Sequence, residues 1–453
     1  MPSRPPAQPV VARADTEAEQ LFYTIMMQPV EDPTLYHQLR DAAPALLTGD
    51  GTLVLSRHAD CNAALRDRSL GKGDEWLKLQ LKDVSKDDLR GVMELMQRSM
   101  ILTNPPDHTR LRRIVASAFT GRHVEALRDG VTRRVDGLLD RLAARPGADL
   151  MTELAMPLPV STIGDLLGIP EADRADLVPV IHELGLLMEP ASGPAEINRG
   201  VAAQTHLASY LGGLIAEKRQ RPQDDLLSRL ANTSADALDE TEVIATALLL
   251  FGAGNTPTAN LIGNGLDALL RFPEQRLRLT EDPALLPSAV EEMLRFDSPS
   301  QFDVFTVLEP HSFAGAELRP GQGVMMMLGA ANHDPERFDD PDAFDVARKE
   351  NGHLSFAAAS TTAWARTWPA CRPRWCSAGC WPASRSWSPP PPRCAIRAWG
   401  TGASTASRST WRAEPAHPDG PPPRSGAARP AGQPSPVTPS HTTRVRTPYR
   451  AEP

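Results

Sequence analysis

The sequence predicts a mainly α-helical chain with a small β part, organised around one long central helix at about residues 240–271. Three observations predict it. Apolar residues recur at helical spacing over most of residues 18–296, with breaks mainly at prolines. Asp239 and Glu242 form a capping-box pair ahead of an apolar run that continues to about Arg271. At 1.5 Å per residue that run spans about 46 Å, and a soluble helix this long and apolar belongs in a core. Over residues 302–330, Val, Phe, Leu and Met alternate between Gly/Pro turns, which marks a few short strands.

The chain has 453 residues, 41% of them hydrophobic, enough for one large domain or two smaller ones. Its composition changes at Phe356. Up to that residue there are 35 Lys+Arg and 53 Asp+Glu, net −18; beyond it there are 13 Arg, no Lys and 3 acidic residues, net +10. The same tail holds seven of eight Trp, four of five Cys and 18 of 44 Pro, and contains no Leu, Phe or Met. Such a segment cannot build an ordinary core, so residues 357–453 are expected to be largely disordered, with 1–17 a loose N-terminus and 18–356 the folded domain. The acidic body argues against nucleic acid as a partner. No 18-residue apolar run exists, so no membrane span is expected, and Met1 to Ala14 lacks the apolar stretch of a secretion signal. Only Cys61 lies in the well-formed part, which implies no disulfide framework and a cytoplasmic chain.

In chain order, helical patterning begins near Ala18 and runs to about Ala43. Thr52 to Ser56 is a strand candidate, and Asp60 to Arg66 a short helix. Residues 70–103 read as a long, partly helical connection of the kind that often carries function. Pro105 and Pro106 stop what precedes them, and Asp107 caps a helix that puts His108 and Arg112 on one face, either as a surface pair or as a ligand site. Helices continue from Val124 to Ala231, broken at Pro146, Pro157, Pro170, Pro190 and Pro222. The middle of the central helix reads Phe251-Gly-Ala-Gly-Asn-Thr-Pro-Thr-Ala-Asn260; Gly252, Gly254 and Pro257 should distort it, giving either a packing kink or a groove for a flat ligand. Glu292 and Arg295 share a face of a helix over 287–296, and residues 333–344 form an irregular meander.

Taken together, five motifs in order give the chain a resemblance to a soluble bacterial cytochrome P450 over about residues 18–356. They are Pro-Pro-Asp-His108-Thr-Arg-Leu-Arg112, Ala253-Gly-Asn-Thr-Pro-Thr258, Glu292-Met-Leu-Arg295, Pro335-Glu-Arg337-Phe and Gly352-His353-Leu-Ser-Phe356. The resemblance implies the cytochrome P450 fold and a haem-thiolate monooxygenase of small organic substrates. It implies haem b as cofactor, dioxygen as co-substrate, and electrons from a ferredoxin and its ferredoxin reductase. It makes Glu292, Arg295 and Arg337 a buried ion triad under the haem. It makes His108, Arg112 and His353 donors to the haem propionates, and lays Gly254 against the cofactor. Residues 70–103 and 170–195 would line the substrate pocket.

Three departures stand against the pattern. The acid–Thr pair that delivers protons in the family is here Thr256-Pro257, leaving Thr256 or Thr258 as substitutes. The strand after Pro299 lacks the family's propionate arginine, with Phe305 near that position. The loop Gly-x-Gly-x-His-x-Cys-x-Gly after Ser355-Phe356 is absent; Cys371, Cys376 and Cys380 follow without the glycine pattern, so no axial Cys is assigned.

One base lost just after Phe356 would account for the tail. Trp and Cys codons both begin TG, and in the neighbouring frame each stands for Leu, Val or Met. Trp364, Trp368, Cys371, Trp375, Cys376, Cys380 and Trp381 fall mostly at spacings of three and four, the stripe of an amphipathic helix. With GC-rich wobble bases, residues 357–371 become Gly-Gly-Ile-His-His-Cys-Leu-Gly-Ala-His-Leu-Ala-Arg-Leu. The ligand codon straddles Thr362 and Ala363, and equally allows Arg, Ser or Gly. The alternative reading is a haem-free P450-like helper that binds and activates a glycosyltransferase; the missing acid–Thr pair and strand arginine fit that loss.

Overall fold

The computed structural model describes residues 17–27, 30, 32–118, 121–145, 147–234 and 237–356. The expectations for the extreme N-terminus and for the tail beyond Phe356 lie outside these residues. Within them the chain is mainly α-helical with a small β part.

Where the sequence predicts one helical stretch from Ala18 to Ala43, there are two helices, α1 (Glu17–Met27) and α2 (Thr34–Ala42). Asp32 and Pro33 separate them: Asp32 Oδ1 accepts the Thr34 N–H at 2.9 Å, and Pro33 has no N–H to continue a helix. Next come β1 (Ala45–Leu47), β2 (Leu53–Leu55), α3 (His58–Ala64) and β3 (Leu70–Gly71). The partly helical connection resolves into α4 (Glu75–Gln80) and α5 (Lys86–Gln97), the latter capped by Ser85. The helical body follows as α6 (Asp107–Ala118), α7 (Gly121–Ala143), α8 (Pro157–Leu167), α9 (Glu171–Gly185), α10 (Pro194–Gln220) and α11 (Leu226–Ala231).

The central helix α12 (Glu240–Arg271) has 32 residues. Its capping box is formed, with the Glu242 N–H donating to Asp239 Oδ1 at 2.8 Å and the Asp239 N–H donating to Glu242 Oε2 at 3.1 Å. The helix runs uninterrupted through Pro257. Helices α8, α9, α10 and α14 (Leu286–Phe296) pack around it, after α13 (Pro273–Glu281). The main core joins Val160, Ile163, Leu167, Leu207, Leu211 and Phe251.

The C-terminal part adds β4 (Asp303–Val307), β5 (His311–Phe313), β6 (Ala316–Leu318), β7 (Gly323–Met326) and the short α15 (Leu328–Asn332), a helix where the sequence extends the strands to 330. Five strands form one sheet in the order β1-β2-β7-β4-β3; β2 and β7 are parallel and the other pairs antiparallel. In the β3–β4 ladder Leu70 faces Val307 and Gly71 faces Thr306. The β5–β6 hairpin turns on Ala314 and Gly315, with φ of 50° and 85°, the two left-handed residues of a tight primed turn.

Beyond α15, His333 is buried with its Nε2 at 2.9 Å from the Phe296 carbonyl and its Nδ1 at 2.8 Å from Asp342 Oδ1; His37 Nε2 takes the other oxygen at 2.8 Å. The hydrogen bond from His333, then that from His37, hold the Asp342 carboxyl down at about 2. A depressed carboxyl stabilises the fold above its unfolded value of about 3.9 and ceases to do so as pH falls through its folded one. Thermal melts from pH 5 to pH 2 should therefore show an acid-limb loss that is smaller in Asp342→Asn; identical limbs would refute this role.

Candidate active site

The sequence of α12 dictates an opening in its middle. Leu249, Ala253, Thr256 and Pro257 lie on one helical face, and there the helix is accessible, with Ala253 exposed and the other three half-buried. Thr246 and Asn260, on the same face one turn further out, are buried. The accessible window is thus about 12 Å long by helical rise. Pro257 lacks the N–H that would reach the Ala253 carbonyl, so the window carries a helix acceptor without its usual partner. Thr258 Oγ donates to the Gly254 carbonyl at 2.9 Å. Gly254 itself is turned away: a Cβ there would stand 2.8 Å from Ile163 Cδ1, so its missing side chain serves close packing of α12 on α8. Close helix contact is what requires glycine at this position.

At the start of α6, His108 is half-buried and Arg112 exposed one turn on. Burial first, then the charges of Arg112 and Lys72, push the His108 imidazole below its ordinary value. His108 therefore offers a neutral N–H at neutral pH, and the positive charge comes from Arg112 and Lys72. The Asn104 side chain fixes this arrangement. Its Oδ1 accepts the Lys72 N–H at 2.8 Å, its Nδ2 donates to the Lys72 carbonyl at 2.6 Å, and its own carbonyl accepts the His108 N–H at 3.0 Å.

Glu292 and Arg295 form the expected fully buried pair, two-pronged at 2.8 and 2.9 Å. Their third partner differs from the expectation. Arg348 Nε reaches both Glu292 oxygens at 3.1 Å, Asn351 Nδ2 donates at 3.0 Å, and the Asp345 N–H donates at 3.0 Å. Arg337 is exposed, stacked on Phe338 at 5.3 Å and lying over Gly352. The motif arginine and Arg348 both sit in irregular segments, and only the path of the meander decides which one reaches the carboxylate.

His353 lies against α14. Its Nε2 lies 3.2 Å from Glu291 on α14 and its Nδ1 accepts the Ser355 N–H at 3.2 Å, so both ring nitrogens are in use. The structure brings His108 and Arg112 together with Lys72, and leaves His353 with α14. The chain around His353 is held firmly: the Leu354 N–H donates to Asn332 Oδ1 at 2.8 Å, and Ser355 Oγ donates to the Leu294 carbonyl at 2.6 Å. The regions 70–103 and 170–195 also meet. Leu77, Leu81, Val92 and Met96 pack with Leu187 and Ile197. Beside them Gln80, Val84, Ser192 and Ile197 line a cavity of about 310 Å³.

A cytochrome P450 family model matches residues 193–357. Cytochrome P450 107B1 of Saccharopolyspora erythraea is 39% identical over 310 residues, 67% of this chain and 74% of that protein. The chain belongs to the cytochrome P450 family. Vitamin D(3) 25-hydroxylase of Pseudonocardia autotrophica is 38% identical over 75% of this chain and 83% of that protein. A crystal structure of P450BioI with hexadec-9Z-enoic acid ligated acyl carrier protein aligns at TM-score 0.68 and 30% identity, over 75% of this chain and 87% of that one. By family the chain is thus an enzyme, a P450 monooxygenase with haem as cofactor and dioxygen and a small molecule as substrates.

The described residues fit haem in part. The open window of α12 suits a flat apolar face, and the cations beside α6 suit its carboxylate edge. A thiolate is not among them: Cys61 is fully buried beneath the sheet, and burial pushes its thiol far above the ordinary range. Among the described residues no helix is long and apolar enough to cross a membrane.

Sequence reading missed Lys72, Arg348 and Asn104, which act across long sequence separations and carry no local signature. Removing charge from the clasp distinguishes its members. Glu292→Gln, which leaves Arg295 buried and unpaired, should cost about 3–5 kcal/mol of stability in urea denaturation, whereas Arg337→Ala should cost less than about 1 kcal/mol. Equal losses would overturn the assignment of Arg348 over Arg337.

Proposed function

We propose that this P450 is a haem-thiolate monooxygenase oxidising a small organic substrate in secondary metabolism, and that its frame is displaced after Phe356, so that the written chain is impaired or inactive. The observation that carries this reading is the anchored run 352–355. Leu354 and Ser355 are tied to Asn332 and Leu294, and the chain then enters a stretch that lacks the ligand loop but whose neighbouring frame is compatible with one. The vitamin D(3) 25-hydroxylase among its relatives supports a small-molecule substrate; the assignment to secondary metabolism rests on resemblance.

Bound through a thiolate, haem b supplies dioxygen activation, with electrons from a ferredoxin and its reductase. The chain's own residues hold and shield it. His108 and Arg112 would hold the propionates. The α12 window would lie against the cofactor; in it Pro257 has no hydroxyl and the Thr258 proton is engaged by the Gly254 carbonyl. That leaves the Thr256 hydroxyl as the group on the window face suited to hold a proton-bearing water. The apolar packing of residues 70–103 against 170–195 supports the reading that this region borders the substrate site.

Resequencing the gene across the Phe356 codon tests the frame; an intact frame through the written tail would sink it. A frame-corrected chain, reduced and treated with CO, should show a thiolate-type haem band. Failure to take up haem at all would favour the glycosyltransferase-binding helper instead.

A further inference from the structure

We propose that Lys72 supplies the cation that meets a haem propionate at the edge of β4, in place of the arginine that this strand lacks. The inference rests on the haem-binding reading above and extends it to a residue outside the motifs. Lys72 follows β3 directly, and the ladder that pairs Leu70 with Val307 and Gly71 with Thr306 sets it opposite Phe305 when continued by one rung. There its Nζ stands 4.3 Å above the Phe305 ring centre and bonds Asp303 Oδ1 and Oδ2 at 2.9 and 3.2 Å. The positive charge is thus displaced across one rung of the sheet rather than lost.

The plain alternative is an edge-strand lysine kept for solubility or for a surface ion pair. Three observations weigh against it. An edge lysine of that kind extends into water, whereas this side chain is 20% exposed and its partner 18%. Its backbone is clamped on both sides by Asn104, the residue whose carbonyl also anchors the first turn of α6, so ammonium and His108 are registered to each other. An ammonium has three N–H donors, and two bonds to Asp303 leave one for an incoming carboxylate. Asp303 orients the group, and the Phe305 ring face adds attraction without using a donor. That Lys72 bears on His108 electrostatically agrees with this placement.

Metal-free protoporphyrin IX tests this on the full chain, because it carries both propionates and needs no thiolate. Its dimethyl ester, with the charges removed, is the control. Followed by fluorescence, the diacid should bind more tightly than the diester. Lys72→Met should weaken the diacid about tenfold to hundredfold and leave the diester unchanged. Lys72→Arg and Asp303→Asn should each stay within about threefold of the parent chain. Unchanged diacid affinity in Lys72→Met overturns the proposal. So does an equal loss for the diester, or a loss in Asp303→Asn as large as in Lys72→Met, since either marks a structural ion pair. Absence of porphyrin uptake by the full chain also overturns it, while the CO spectrum of the frame-corrected chain decides separately whether the haem reading stands.

Discussion

The Glu292 carboxylate and the Arg295 guanidinium are both fully withdrawn from water, a placement that costs several kcal/mol per ion unless lone pairs and N–H groups are satisfied. Here they are. The carboxylate takes two bonds from Arg295 and others from Arg348, Asn351 and the Asp345 N–H; Arg295 spends its remaining donors on the carbonyls of Asn332, Pro341 and Ala343. Apart from the Asn332 carbonyl at the end of α15, those carbonyls and donors belong to the meander and the segment after it, residues 341–351, which have no regular structure of their own. The meander therefore takes its shape from the demands of one buried ion pair on α14. Asn332, whose carbonyl serves Arg295, also uses its side chain to fix Leu354 and Ser355. Electrostatic satisfaction and the position of the chain at Phe356 are one network.

The second constraint is the central helix. Buried residues recur along it from Glu242 to Leu269, so it cannot shift without disturbing α8, α9, α10 and α14 together. Gly254 permits the close approach to α8 while Ala253, one residue earlier, faces the opening. Packing and access are thus assigned to adjacent residues whose directions differ by about 100°.

Local signals made much of this legible. The capping box placed the start of α12 and the apolar run to about Arg271 its end, because caps act through neighbouring backbone groups and periodicity is local. The Glu292–Arg295 pair was legible for the same reason, being one helical turn apart. The rest depended on geometry that no short window contains. Arg337 has the motif and Arg348 has the contact; both lie in irregular chain, and the difference between them is a path through space. Lys72 sits in a connection with weak periodicity, and its neighbours Phe305 and Asp303 are more than 200 residues away. The contact of His353 with Glu291 was not legible, because Glu291, next to the conspicuous Glu292, looks like an ordinary surface acid in sequence.

The anchoring of Leu354 and Ser355 has a consequence for engineering. Among the described residues, this run is fixed by bonds to Asn332 and Leu294, which precede it, so the chain reaches Phe356 at a defined point set by α14 and α15. That makes Phe356 a splice site. A ligand loop and helix from a relative can be joined there as a cassette, without redesigning the segment that presents them.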